Sequence, residues 1–132
     1  MAQYVYPAIF KPEDGGQFSV IFPDLPGCHT CGDSIADGMF MANDALAFWL
    51  YRLEKKGEAI PDPTFIDAVI CDDKDFVTYI NCDTLEYQKR NNNKAVKKTL
   101  TIPQWLDEAA NAAGVNFSQT LQDALKEKLQ LA

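Results

Sequence analysis

At 132 residues the chain has room for one domain, or for a small domain carrying an appendage. Its 47% hydrophobic and 23% charged residues, with no low-complexity block and no internal repeat, set aside disordered, fibrous and solenoid classes. No apolar run approaches the roughly eighteen residues of a membrane span, and the first residues form neither a basic nor an apolar leader, so a cytoplasmic location is expected. In that compartment the four cysteines are expected as thiols. The net charge of −7 is unevenly divided: residues 1–90 hold 7 Lys and Arg against 15 Asp and Glu, whereas residues 91–132 hold 5 against 4. The front part therefore carries −8 and the back part +1, an asymmetry that points to two jobs and to a basic partner for the front.

Residues 4–10 and 18–22 are rich in aromatic and branched side chains and flank Lys11-Pro12-Glu13-Asp14-Gly15-Gly16, so they are expected to pair as a hairpin. Pro23-Asp24-Leu25-Pro26-Gly27 breaks the second strand, and residues 28–31 make a short third. Ser34 with Asp37 is a capping pair. Behind it Ile35, Met39, Ala42, Leu46, Trp49 and Leu53 recur at helical spacing, predicting a helix of about five turns that stops at Gly57 and lies on the sheet. Gly38 interrupts this pattern at a locally unfavourable place, and nothing in the sequence says why. After the Pro-rich loop 59–63, residues 65–71 and 76–82 are further strand candidates on either side of Asp72-Asp73-Lys74-Asp75. Four or five strands under one helix make an α+β domain large enough to hold its own core. Residues 89–94 are polar and aperiodic. The expected organisation is a front domain at 1–88, a linker at 89–95 and a second domain at 96–132.

In the second domain, Val96, Lys98, Leu100 and Ile102 alternate with Lys97, Thr99 and Thr101, as in a half-buried strand. Pro103 suits the first position of a helix, where its missing N–H is no loss. Leu106, Ala110 and Ala113 repeat at helical spacing until Gly114 ends the run. Asn116 can cap a second helix whose apolar stripe is Phe117, Leu121, Ala124 and Leu125. One strand and two short helices are too small to bury a core alone. A second copy resolves this: the two strands pair antiparallel, and Leu100, Ile102, Leu106, Leu121 and Leu125 become the core between protomers. The outward face of such a ribbon is Lys97, Thr99 and Thr101, which fit base edges in the DNA major groove. The amides of Phe117 and Ser118 beside the Asn116 cap, together with Lys94, can hold DNA phosphates. The alternative is a monomer in which this segment packs back onto the front domain.

The pattern of this second domain resembles the ribbon-helix-helix DNA-binding family. The front domain resembles the HicB antitoxins, through Tyr6-Pro7-Ala8, the run Phe18-Ser-Val-Ile-Phe-Pro-Asp-Leu-Pro-Gly-Cys28, Thr30, Gly32-Asp33-Ser34, and the pairs Ala42-Asn43 and Ala45-Leu46. The resemblance implies a partial ribonuclease-H-like α+β domain that masks a HicA-type toxin, a basic ribonuclease that cleaves mRNA. It also implies a non-enzymatic protein that represses its own operon on operator DNA, as a homodimer and up to a tetramer. An RNA-binding nuclease needs a positive surface, so a front domain of charge −8 is suited to occupy its RNA path.

Two constellations could carry chemistry instead. Cys28-His29-Thr30-Cys31, with Cys71 and Cys82, has a partial zinc spacing; the cysteines more simply pack as small hydrophobes, and neither metal nor cofactor is expected. Asp24, Asp33, Asp37, Asp44, Asp72, Asp73 and Asp75 could serve a two-metal nuclease if they converged, which would make the chain an enzyme dimerised by its tail. No small-molecule substrate and no membrane partner is implied.

Overall fold

The computed structural model describes residues 2–131 and separates into two compact units, residues 1–94 and 95–132. The front unit holds a four-stranded antiparallel sheet of β1 (Gln3–Pro12), β2 (Phe18–Ile21), β3 (His29–Gly32) and β4 (Phe76–Asp83), in the order β3-β2-β1-β4. Helices α1 (Ile35–Lys56) and α2 (Thr84–Asn91) complete it. Alternation along β1 decides the layers: Tyr4, Tyr6, Ala8 and Phe10 face α1, and the odd-numbered residues face away. With Val20, Phe22, Leu25, Ile80, Ala42, Leu46 and Leu50 the even residues form one core between sheet and helix.

Helix α1 begins where Ser34 Oγ accepts from the Asp37 N–H at 3.1 Å and the Asp37 carboxylate accepts from the Asp33 N–H at 2.9 Å, a reciprocal cap. It ends at Gly57. The unexplained Gly38 now has a reason. A Cβ on Gly32 would stand 2.3 Å from the Gly38 nitrogen, and one on Gly38 would stand 3.3 Å from the Phe10 ring. The first turns of α1 thus lie against β3 and against Phe10, which stacks on Phe76 with ring centroids 5.0 Å apart.

Two expectations are corrected. Residues 65–71 form no strand; only Ile66–Ala68 make a 3₁₀ turn, and the sheet has four strands. The segment is tied by side chains instead: the Asp24 carboxylate accepts from the Thr64 N–H at 3.0 Å and from its hydroxyl, and Tyr79 Oη accepts from the Ile66 N–H at 3.1 Å. Residues 89–91, expected in the linker, belong to α2. That helix is capped by the Asp83 carboxylate, which accepts from the Leu85 N–H at 2.9 Å, and it places Tyr87 against Phe48 and Tyr51 of α1.

The buried thiols make one pH prediction. Burial raises Cys28 from 9.0 to about 11; Cys82 is raised to about 12 by burial and then by the nearby Asp83 and Glu54 charges. Between the ordinary thiol range and these values the folded chain holds protons that the unfolded chain releases, so stability falls as pH rises above about 9. Urea midpoints at pH 8 and pH 10 are expected to differ, and the difference to shrink in Cys28→Ala/Cys82→Ala; an equal difference in that variant would contradict the assignment.

Candidate functional site

In the second unit, residues 95–103 are exposed and belong to no helix or strand, and they lead into α3 (Gln104–Ala112) and α4 (Phe117–Lys128). Neither helix contains a buried residue. Residues 96–102, expected as a strand, hydrogen-bond to no strand of their own chain among the described residues. This arm has no ladder partner in its own chain, where the sheet found among the described residues lies in the other unit. Pro103 sits one position earlier than expected, as the cap of α3 with φ −58° and ψ 144°, and its carbonyl accepts from the Leu106 and Asp107 amides. Asn116 caps α4 as read from the sequence, its Oδ1 accepting from the Gln119 N–H at 3.0 Å. Gly114, between the helices, has φ +71°, the left-handed conformation in which a side chain is strained.

Leu100, Ile102, Phe117, Leu121 and Ala124 of this unit meet on one surface. Lys98, Leu100 and Ile102 line a groove of about 500 Å³ with Phe117, Leu121 and Ala124 of α4. Leu121 is half-buried there, whereas Leu100 is 65% exposed, Leu125 50% and Leu106 40%. Lys97, Thr99 and Thr101 alternate with the groove-lining residues and are exposed, as is Lys94, the last residue of the front unit. Phe117 and Ser118 open α4, where the first amides have no acceptor within the helix. The structure therefore brings together Leu100, Ile102 and Leu121 of the expected dimer core, and leaves Lys94, Lys97, Thr99, Thr101 and Asn116 outside that groove, whereas Phe117 and Ser118, also expected on DNA, help to line it.

In the front unit the carboxylates do not converge. Asp24 holds Thr64, Asp37 caps α1, and Asp75 pairs with Lys11 at 2.8 Å. Cys28 and Cys82 are in the core, Cys31 is exposed on β3, and Cys71 lies beside the Asp75 carbonyl. Among the described residues no three His, Cys, Asp or Glu side chains are placed to share a metal ion. No helix is long and apolar enough to cross a membrane.

A four-stranded antiparallel sheet under one long helix, followed by a separate helical unit with its apolar face open, defines a small two-unit protein of mixed α+β class. The family model for the HicB-like antitoxin of bacterial toxin-antitoxin systems matches residues 6–125, and the chain belongs to that family. It is 33% identical over 106 residues to a 14.9 kDa protein of the rep-hol intergenic region of Haemophilus phage HP1 (strain HP1c1), with 77% of this chain and 75% of that one covered. Among solved structures, it is similar to a chain of a toxin-antitoxin complex from Streptococcus pneumoniae, with a TM-score of 0.63, 29% identity and 96% and 99% of the two chains covered. It is also similar to a chain of the HicA3 and HicB3 toxin-antitoxin complex, with a TM-score of 0.51, 26% identity and 61% and 99% covered.

Proposed function

We propose that the chain is a cytoplasmic antitoxin: its front unit, a partial ribonuclease-H-like domain, binds and neutralises a HicA-type mRNA-cleaving toxin. Its second unit, a ribbon-helix-helix, represses the chain's own operon by binding operator DNA as a dimer or higher oligomer. The observation that carries this reading is the open apolar groove of the second unit beside an exposed arm bearing Lys97, Thr99 and Thr101. Two arms paired antiparallel would satisfy the facing backbone groups of each and close Leu100, Ile102, Leu106, Leu121 and Leu125 into a shared core, directing the lysine and threonines at base edges. Lys94 and the Asn116, Phe117 and Ser118 helix start would then lie on flanking phosphates.

Toxin binding rests on family membership and on charge. The front residues carry −8, which opposes the positive surface an RNA-cleaving partner requires. A catalytic role for this unit is not favoured, because Asp37, Asp24 and Asp75 serve as a cap, a loop tie and an ion pair rather than converging. The chain is read as non-enzymatic and as needing no cofactor.

Titrating the purified chain into the toxin encoded beside it, with RNA cleavage as readout, is expected to abolish cleavage at saturation; undiminished cleavage would refute the antitoxin reading. In the same experiment Lys97→Ala or Thr99→Ala is expected to weaken operator binding by about 1–3 kcal/mol while neutralisation is unchanged. Loss of both activities together would contradict separable units.

A further inference from the structure

We propose that the segment of residues 58–75, on the front unit, is the surface that docks the basic toxin, with Phe65 and Ile70 as its apolar anchors. The proposal rests on the antitoxin reading above and adds the place where the toxin sits. Phe65 is 82% exposed and Ile70 is 91% exposed, the two most exposed large apolar side chains among the described residues. A flexible loop would bury such groups by collapse or let them wander. The part of the segment around Phe65 can do neither, because it is tied down on both sides, and a further tie at Asp75 holds the far end beyond Ile70. Pro61 accepts from the Tyr6 hydroxyl, Thr64 donates to Asp24, Ile66 donates to Tyr79 Oη, and Asp75 accepts from Lys11. Phe65 stands between two of these ties, so its ring is held out in water with little ordering left for a partner to impose.

Charge selects the occupant. Glu58, Asp62, Asp67, Asp72, Asp73 and Asp75 face a single Lys74 within these residues, a net of −5, and all but Asp75 among the acids are exposed. That is more than half of the −8 carried by residues 1–90, gathered in one fifth of their length. Exposed apolar anchors ringed by carboxylates suit a protein with a cationic rim and an apolar centre, the surface expected of a small nuclease that binds RNA. A second copy of this chain would bring the same acidic ring against itself and is disfavoured there.

The test uses the full chain and a catalytically inactive form of the toxin encoded beside it, with affinity from calorimetry and association rates from surface plasmon resonance. Phe65→Ala/Ile70→Ala is expected to raise the Kd by about tenfold or more, as loss of central anchors does, with an unchanged thermal midpoint and unchanged operator binding. Asp67→Lys/Asp73→Lys is expected to slow association and flatten its salt dependence. Phe40→Ala, on an α1 residue that is 63% exposed, is the control and is expected to change nothing. Wild-type affinity in Phe65→Ala/Ile70→Ala, or a loss confined to Phe40→Ala, overturns the surface while the antitoxin reading stands. Failure of the wild-type chain to bind the toxin overturns both.

Discussion

Replacing Gly32 by alanine is expected to cost the front unit about 3–5 kcal/mol, the upper end of what overpacking does and a large share of a small domain's stability. The added Cβ would stand 2.3 Å from the Gly38 nitrogen, 2.5 Å from its Cα and 2.8 Å from the Asp37 carbonyl carbon, all of them backbone. Contact between such atoms is comfortable only near 3.5 Å or more. Neither side can yield cheaply. Residue 32 is paired with Phe18 across the β2-β3 ladder, and the Gly38 N–H donates to the Ser34 carbonyl at 2.8 Å inside the capped first turn of α1. Relief therefore requires β3 to leave α1, which opens the core around Phe10 and Val20. Gly38→Ala is the informative comparison. Its Cβ meets the Phe10 ring at 3.3 Å, and that ring can tilt by a few tenths of an ångström. Alanine also recovers about 1 kcal/mol of helix propensity. Its net change is expected to stay within about 1 kcal/mol, the two terms opposing each other. Urea denaturation of both variants separates the cases; a Gly32→Ala midpoint equal to that of wild type would remove the close approach as the reason for glycine.

That pair also shows where sequence patterns stop carrying information. Helix α1 was legible because cap, stripe and stop are local, and the structure ends it at Lys56 with Gly57 as its cap, where the sequence places the stop. Gly38 was not legible because the group it makes room for lies on another element. Residues 65–71 looked like a strand because Phe65, Ile66, Val69 and Ile70 have strand composition. The open edges of the sheet are those of β3 and β4, however, and the segment pairs with neither. Side-chain ties at Thr64 and Ile66 hold the segment instead, and Phe65 and Ile70 stay in water, which composition alone cannot announce. Helix α2 was hidden by its polarity, since one aromatic, Tyr87, supplies its ring contacts to α1, although the Asp83 cap was a readable sign. In the second unit the alternation from 96 to 102 and the Asn116 cap were readable, and the groove places Leu100 and Ile102 with Leu121 as that alternation requires.

Leu121→Ala is the second large effect, and it acts on assembly. Leu121 is half-buried in a single chain, at the floor of a groove whose other apolar walls, Leu100 and Ile102, are exposed. Closing the groove with a second copy would bury it fully, and truncating a buried leucine costs about 2–5 kcal/mol. Because a dimer contains two such sites, the penalty counts twice. A total of about 4 kcal/mol already raises the dissociation constant by nearly three orders of magnitude. The unit has no buried helix residue of its own to fall back on, so dissociation and loss of helix are expected together, seen as a concentration-dependent fall in helical circular dichroism. Operator retardation would vanish with the dimer, since one arm alone exposes its unpaired backbone and cannot form the two-stranded ribbon the groove of DNA accepts. Lys97→Ala separates the two causes of lost retardation, because its side chain lies outside the groove and its mass by sedimentation is expected to remain that of wild type. A Leu121→Ala chain that sediments as wild type does at every concentration would show that the groove is closed by something other than a second copy.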